Sequence, residues 1–133
     1  MISKSVLEQF FQNDFAQADF SIEAVSDEQI TIKKMIREQH VRPGNTVSGP
    51  VLMEVADAAL YVAVLYKSDL ATMAVTSNLN INFLKKPDVS QNIIAECRVH
   101  KLGRKSAYGE VMLYSELSRD LVAHATGTYV IPM

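Results

Sequence analysis

The stretch PVLMEVADAALYVAVLY, at residues 50–66, decides the fold. Almost all of its side chains are apolar, and a helix with almost no polar face is typical of one buried on nearly all sides. Proline is favourable at the first position of a helix, and Ser48 and Gly49 can cap it. The segment is 17 residues long and contains Glu54 and Asp57, so a membrane span is the poorer interpretation. We therefore predict a buried helix over 50–66.

The segments before this helix predict a short helix and a β-hairpin. Residues 2–15 repeat apolar side chains every three or four positions, as one face of an amphipathic helix does. From Phe20 to Ile36 apolar and polar residues alternate less regularly, with a turn around residues 26–28. The next segment, 37–49, contains Pro, Gly, Asn and Ser without periodicity, and we predict a loop there.

The segments after the helix alternate apolar and polar residues and predict four long strands, at 75–83, 91–102, 105–117 and 121–131. In the first of them, strict alternation would place five side chains on one face: Val75, Ser77, Leu79, Ile81 and Phe83. The order of elements predicts an α+β fold, in which an antiparallel sheet wraps around the central helix. We expect a single domain over 1–133.

Composition excludes several classes of function. Thirteen basic and fifteen acidic residues give a net charge of −2, which removes a whole-surface electrostatic case for nucleic acid or an anionic membrane. Cys97 is the single cysteine, so no internal disulfide can form, and no Cys or His pair has the spacing of a zinc site. The first residues lack the apolar core of a signal peptide. We expect a soluble, cytoplasmic protein without a metal.

Asp57 is the first candidate functional residue. A carboxylate in the middle of an apolar helix costs several kcal/mol in desolvation unless it is paired or lies at a wet pocket. The alternative is that Asp57 marks the one exposed edge of the helix, together with Glu54 and Tyr61 at i−3 and i+4. The pattern alone leaves both interpretations open.

The start of the helix, Ser48-Gly49-Pro50, is the second candidate. Unpaired backbone N–H groups at a helix N-terminus can polarise a carbonyl or hold an oxyanion, and glycine lets a ligand approach the backbone. The alternative is an ordinary helix cap. Ser48 is a weak candidate nucleophile, because Thr46 stands where a G-x-S-x-G motif would have its first Gly.

A set of basic residues near predicted strand ends is the third candidate, because such a set can bind the phosphates of a nucleotide-like carrier. It consists of Lys85, Lys86, Lys101, Arg104 and Lys105. The alternative is a solvated surface. The histidines at 40, 100 and 124 and the thiol of Cys97 are interpreted as structural.

Residues 42–57, RPGNTVSGPVLMEVAD, resemble the signature of the hotdog-fold acyl-CoA thioesterases of the PaaI-like type, close to 4-hydroxybenzoyl-CoA thioesterases. In that family a loop N-x-x-G-x-x-H-G-G leads into the central helix, and an acidic residue follows nine positions after the His. Asp57 follows Ser48 by nine. The resemblance continues through VTSNLNINFLKKP at 75–87, HKLGRKSAYGEV at 100–111 and LVAHATGTYVI at 121–131. It departs at Ser48 in place of the His, Pro50 in place of the second Gly, and Arg42 near the usual Asn.

The resemblance implies a catalytic set of Asp57, Gly49, Ser48 and Thr76. Asp57 would activate water or attack the thioester carbon, and the Gly49 N–H would polarise the thioester oxygen. Thr76 lies on the strand that, in the family, reaches the reaction centre from the partner subunit. The implied substrate contacts are Asn45, Pro50, Ser77, Lys101, Arg104 and Lys105, of which Arg104 would approach the CoA phosphates.

The resemblance also implies a homodimer within a tetramer, and CoA only as part of the substrate, with no further cofactor. The main hypothesis is therefore hydrolysis of acyl-CoA thioesters. A non-catalytic acyl-CoA-binding hotdog protein is the alternative, because the family's His and second Gly are missing. A hotdog hydratase or dehydratase is disfavoured, because that chemistry uses a His and none lies between Val41 and Val99.

Overall fold

A curved sheet of six antiparallel strands surrounds one long helix in the computed structural model, which describes residues 2–132. The helices are α1 (Lys4–Asp14) and α2 (Gly49–Lys67). The strands are β1 (Ser21–Val25), β2 (Ile30–Lys34), β3 (Val41–Arg42), β4 (Thr46–Val47), β5 (Val75–Phe83), β6 (Ile93–Leu102), β7 (Ser106–Ser115) and β8 (Leu121–Val130). The strand order in the larger sheet is β1-β2-β6-β7-β8-β5. The α+β fold predicted from the sequence is confirmed.

Helix α2 forms the centre of the hydrophobic core. Ser48 caps it, with its Oγ accepting a hydrogen bond from the Val51 N–H at 3.4 Å. By length and hydropathy α2 could also cross a bilayer, but more than half of it is buried inside the protein, as expected for a core helix. Its buried residues are Leu52, Val55, Ala56, Ala59, Leu60, Val62, Ala63, Val64, Leu65 and Tyr66.

Two glycines let the sheet approach the middle of α2 closely. Gly109 of β7 and Gly127 of β8 are directly opposite each other. A Cβ added at Gly127 would lie 2.6 Å from Leu60 Cδ1, and one added at Gly109 would lie 2.9 Å from the Arg98 carbonyl oxygen. A side chain at Gly109 would therefore displace the backbone of β6, and one at Gly127 would require the Leu60 side chain to move.

Strand β5 carries a β-bulge that changes which of its residues face the helix. Thr76 pairs with Tyr129 and Asn78 pairs with Thr128, so Ser77 is the extra residue. The sequence prediction that Val75 and Ser77 share a face with Leu79 is therefore wrong. Thr76 takes the inward position instead, because one extra residue reverses the alternation on one side of the bulge.

The segment predicted as a loop, 37–49, contains more structure than expected. A short 3-10 turn at Glu38–His40 precedes the two-residue strands β3 and β4, which pair with each other. Gly44 and Asn45 close this hairpin in the left-handed region, with φ values of 97° and 57°. Gly and Asn adopt such values more readily than other residues, which is why the hairpin forms here.

Helix α1 covers one side of α2 with aromatic side chains. Ser3 caps it by accepting a hydrogen bond from the Val6 N–H at 3.2 Å. Phe11 is buried, and its ring lies 5.9 Å from that of Tyr61 on α2 and 5.1 Å from that of Phe20. The predicted amphipathic helix therefore forms the outer wall of a cavity beside α2.

Candidate active site

Asp57 lines a cavity of about 680 Å³ between α1, α2 and the start of β5. The side chain is half-buried, about midway along α2. Aromatic rings provide much of the lining, and the residues that form it are Phe11, Phe15, Gln17, Ala18, Asp19, Phe20, Glu54, Asp57, Ala58, Tyr61, Ala74, Val75, Thr76 and Tyr129. Asp57 thus lies in a pocket rather than on a solvated helix edge.

Two hydroxyl groups hold the Asp57 carboxylate by the same oxygen. Thr76 donates to Asp57 Oδ1 at 2.6 Å, and Tyr129 donates to it at 2.7 Å. The Tyr129 hydroxyl also lies 3.1 Å from the backbone carbonyl oxygen of Asp57. Within residues 2–132, Asp57 Oδ2 accepts no hydrogen bond, so this oxygen is available to a water or a substrate.

A cluster of charged residues closes one side of this cavity. The buried Lys34 ammonium donates to the Asp19 carbonyl oxygen at 2.8 Å and lies 3.9 Å from Glu54 Oε1. Partial burial works against ionisation of Asp19, but the charges of Lys34 and Arg37 outweigh it and lower the pKa of the carboxyl. The cluster fixes the segment before β1 against α2.

The start of α2 lies at a second cavity, of about 720 Å³. Gly49 faces the Phe83 ring there, and a Cβ on it would lie 3.4 Å from Phe83 Cζ. The Gly49 N–H makes no hydrogen bond to any described residue, whereas the Ser48 hydroxyl serves as the helix cap. Three cations line the same cavity, Arg42, Lys85 and Lys86.

The two candidate groups for thioester chemistry do not meet within one chain. Asp57 follows Gly49 by eight residues on the same helix, which corresponds to about 12 Å along its axis. Asp57 lines the first cavity and Gly49 lines the second. Thr76, by contrast, reaches Asp57 within its own chain.

The remaining candidate substrate contacts occupy three places. Ser77 lies at the bulge of β5 and its hydroxyl is 3.4 Å from the Thr128 carbonyl oxygen, outside the Asp57 cavity. Asn45 is exposed in the β3–β4 hairpin, and Pro50 lines the second cavity. The exposed basic residues Lys101, Arg104 and Lys105 lie around the turn between β6 and β7. This turn is beside the C-terminal end of β8, which also pairs with the first residue of β5.

The other reactive side chains lie apart from both cavities. His100 and His124 contact the two oxygens of Glu110 at 3.0 and 2.7 Å, and these hydrogen bonds lower the pKa of Glu110. His40 accepts from the Arg37 N–H at 2.9 Å. Burial raises the pKa of the Cys97 thiol to about 12. Among residues 2–132, no three His, Cys, Asp or Glu side chains form a group that could hold a metal.

Sequence reasoning missed two contributors to the Asp57 cavity, Tyr129 and the α1 aromatics. Tyr129 could have been found, because alternation along 121–131 puts it on the inward face with Ala123, Ala125 and Gly127. The contribution of Phe11 and Phe15 depends on how α1 docks on α2. That docking carries no local sequence signal.

A sheet curled around one helix, with a carboxylate of that helix in a pocket, is the arrangement of a hotdog-fold protein. The family model described as "Thioesterase superfamily" matches residues 44–121 of the chain. The chain belongs to the Thioesterase superfamily.

Similar proteins agree with this assignment. A Pseudomonas aeruginosa protein that bears the provisional name of an esterase is 30% identical over 104 residues, which are 78% of this chain and 76% of that protein. A crystal structure from Silicibacter sp. TM1040, provisionally named a thioesterase, is 36% identical with a TM-score of 0.88, and covers 100% of this chain and 94% of the other. Escherichia coli PaaI shares the fold at 18% identity, with a TM-score of 0.80 over 95% of this chain and 90% of the other. The family match and the first two of these relatives support hydrolase activity, and the PaaI structure supports the fold.

Proposed function

We propose that this protein hydrolyses acyl-CoA thioesters to a free acid and CoA. One observation carries the proposal: the Asp57 carboxylate lies in a cavity rich in aromatic rings, with one oxygen held by two hydroxyl donors and the other accepting no hydrogen bond from a described residue. A carboxylate in such a setting can act as a general base toward a water molecule. Membership of the Thioesterase superfamily supports the choice of a thioester as the substrate.

The proposed reaction needs a base and an oxyanion donor. Asp57 Oδ2 takes a proton from water, the water oxygen forms a bond to the thioester carbon, and the carbonyl electron pair moves to its oxygen. A backbone N–H such as that of Gly49 stabilises this oxyanion. The electron pair on the oxyanion then re-forms the carbonyl as the C–S bond breaks, and the leaving sulfur takes the proton that Asp57 had accepted, so that CoA leaves as the thiol.

The site is proposed to form between two subunits. Strand β5 is an exposed edge strand of nine residues, and an edge of this length tends to pair with another strand. Its first residues border the Asp57 cavity, and Phe83 at its end borders the Gly49 cavity. Antiparallel pairing of β5 with its own copy would therefore bring Asp57 of one chain toward Gly49 of the partner subunit.

Exposed apolar side chains along this edge support the pairing. Val75, Phe83 and Leu84 are 56%, 53% and 55% exposed, and Met53 of α2 is 40% exposed. The opposite edge, β1, has five residues, a bulge and an acidic side chain at Glu23, which are features that discourage pairing. We propose a homodimer through β5, and a tetramer built from two such dimers remains a prediction of the resemblance.

The acyl group is proposed to be uncharged and apolar. The described lining of the Asp57 cavity combines aromatic rings with Asp19, Glu54 and Asp57, and includes no Lys, Arg or His. An acyl carboxylate entering this cavity would be desolvated without a cationic partner among the lining residues, which is unfavourable. A volume of about 680 Å³ is within the ordinary range for a small-molecule pocket.

The remaining sequence predictions extend the proposal. The basic turn with Lys101, Arg104 and Lys105 would bind the CoA phosphates, and Asn45, Pro50 and Ser77 would contact other parts of the substrate. Ser48 is proposed to act as the cap of α2 rather than as a nucleophile, because its Oγ already accepts the Val51 N–H. A cytoplasmic location and independence of any cofactor other than the substrate's own CoA stay predictions from the sequence.

Release of free CoA thiol from a panel of acyl-CoA substrates tests the proposal. Butyryl-CoA and succinyl-CoA form a matched pair, because the terminal methyl of one is a carboxylate in the other. We expect turnover of butyryl-CoA with a kcat/KM at least about tenfold above that of succinyl-CoA, since burying an unpaired charge costs more than 1.4 kcal/mol. Equal values would contradict the apolar acyl site. Tight binding of acyl-CoA without any thiol release would favour the non-catalytic binding protein instead.

A further inference from the structure

Tyr129 occupies a position that the proposed chemistry does not yet explain. It is 3% exposed, and its ring stacks on that of Tyr61 with centroids 5.9 Å apart. Its hydroxyl reaches both Asp57 Oδ1, at 2.7 Å, and the Asp57 carbonyl oxygen, at 3.1 Å. A buried tyrosine whose hydroxyl contacts both the backbone and the carboxylate of one residue is suited to hold that carboxylate in one orientation.

The sheet register brings two donors to the same oxygen. Thr76 and Tyr129 are directly opposite each other on β5 and β8, and both face α2. The bulge at Ser77 is what turns Thr76 inward beside Tyr129. Both donors act on Oδ1, so the carboxylate cannot rotate about its Cβ–Cγ bond without breaking two hydrogen bonds.

The Tyr129 hydroxyl keeps its proton, and so remains a donor, at neutral pH. Burial raises its pKa well above the ordinary value, and the neighbouring Asp57 carboxylate raises it further, while a hydrogen bond with Thr76 works in the opposite direction. A protonated phenol has a proton to donate, so it stabilises the carboxylate rather than competing with it for a proton.

We propose that Tyr129 is a positioning residue for Asp57. It fixes Oδ1 from the side of β8, so that Oδ2 is the oxygen that faces the cavity and takes the proton from water. Tyr129 itself neither gives nor receives a proton in the reaction. This inference rests on the proposed function, because it assigns Tyr129 a role only if Asp57 is the base.

Tyr129→Phe tests the inference, because it removes the hydroxyl and keeps the ring that stacks on Tyr61. Hydrogen bonds to charged groups are among the stronger ones in proteins, and we expect kcat to fall about 10- to 100-fold with KM within twofold of wild type. Thr76→Val removes the other hydroxyl that donates to Asp57 Oδ1, at an exposed position. We expect this variant also to lower kcat while KM stays near the wild-type value. Circular dichroism and thermal melting establish that each variant is folded.

The decisive comparison uses the Asp57→Ala background. If Tyr129 acts only through Asp57, adding Tyr129→Phe to Asp57→Ala changes the residual kcat by less than twofold. An equal loss in both backgrounds, or a Tyr129→Phe enzyme with wild-type kcat, would overturn the positioning role.

Should Tyr129→Phe fail to fold, Thr76→Val carries the test, and wild-type kcat in that variant would contradict a carboxylate held by two donors. An Asp57→Ala enzyme with unchanged kcat would instead overturn the proposed function.

Discussion

The two cavities along α2 differ in their chemistry although they share one helix. The Asp57 cavity carries a carboxylate among aromatic rings, and none of its described lining residues is cationic. The Gly49 cavity carries a free backbone N–H and three cations, and none of its described lining residues is acidic. Thioester hydrolysis needs a base and an oxyanion donor together. Under the proposed function, this difference teaches that each chain would supply two complementary half-sites rather than one complete site.

Removing the base from the Asp57 cavity should have the largest effect. Asp57→Ala is expected to lower kcat about 10²- to 10⁴-fold, the usual contribution of a general base, while KM changes only a few-fold. Steady-state thiol release measures both constants. Asp57→Asn is the matched variant, since it keeps the size and the acceptor of the side chain. Unaltered kcat in either variant would remove the carboxylate from the mechanism.

Removing the exposed guanidinium from the basic β6–β7 turn should affect binding alone. Arg104→Ala is expected to raise KM about tenfold with little change in kcat, because a phosphate contact stabilises the bound substrate and the transition state equally. Lys4→Ala is the control for loss of one positive charge, since Lys4 is on the surface of α1 and forms an ion pair with Glu8 of the same helix. A tenfold rise in KM in both variants would indicate a general electrostatic effect rather than a phosphate site.

Ser48→Ala separates a cap from a nucleophile at the Gly49 cavity. Loss of the hydrogen bond from the Val51 N–H should lower the free energy of unfolding by about 0.5–2 kcal/mol, with kcat close to wild type. Chemical denaturation measures the first quantity and thiol release the second. Ser48→Asp should keep the cap and most of the stability. Complete loss of turnover in a folded Ser48→Ala protein would contradict the cap assignment.

The smallest effect concerns the charged wall of the Asp57 cavity. The pKa of Asp19 is lowered from its ordinary value of 3.8, so its ionised form stabilises the fold above that pH, and the contribution is lost as pH falls through the lower native pKa. Asp19→Asn should therefore melt at a lower temperature than wild type at neutral pH, and the difference should vanish in acid. A difference in Tm that stays constant down to the lowest pH would show that the charge of Asp19 is not responsible.

Much of the fold could be predicted from the sequence because its signals are local. The apolar composition of 50–66 indicates a helix surrounded by other elements, and the alternation in 91–102, 105–117 and 121–131 indicates the strands that form at Ile93–Leu102, Ser106–Ser115 and Leu121–Val130. The bulge at Ser77 could not be predicted, because one extra residue reverses a strand's faces without altering its composition. The hairpin at Gly44 and Asn45 could not be predicted either, because strands of two residues are too short to show a periodic pattern.

The candidate site was predictable in its parts but not in its arrangement. Desolvation identifies Asp57 as a residue that needs a pocket, and its nine-residue spacing from Ser48 supports the family resemblance. The contact between Thr76 and Tyr129 at Asp57 depends on strand register across the sheet, which no local pattern fixes. The separation of Asp57 from Gly49 follows from helix geometry, and the proposed mechanism therefore requires a second chain.

A subunit-complementation measurement tests the two-chain site most directly. Gly49→Pro removes the backbone N–H at the first position of α2, where proline is well tolerated, and Gly49→Ala is the control that keeps the N–H. Asp57→Ala and Gly49→Pro chains, carrying different affinity tags, are co-expressed and purified through both tags. Each parent dimer should be nearly inactive.

In the mixed dimer one site has both defects and the other has neither, so we expect about half of the wild-type kcat per dimer. A mixed dimer of Asp57→Ala with the double variant Asp57→Ala/Gly49→Pro is the control and should stay inactive. A mixed dimer of the two single variants with no more activity than its parents would contradict a site built from Asp57 of one chain and Gly49 of the partner subunit.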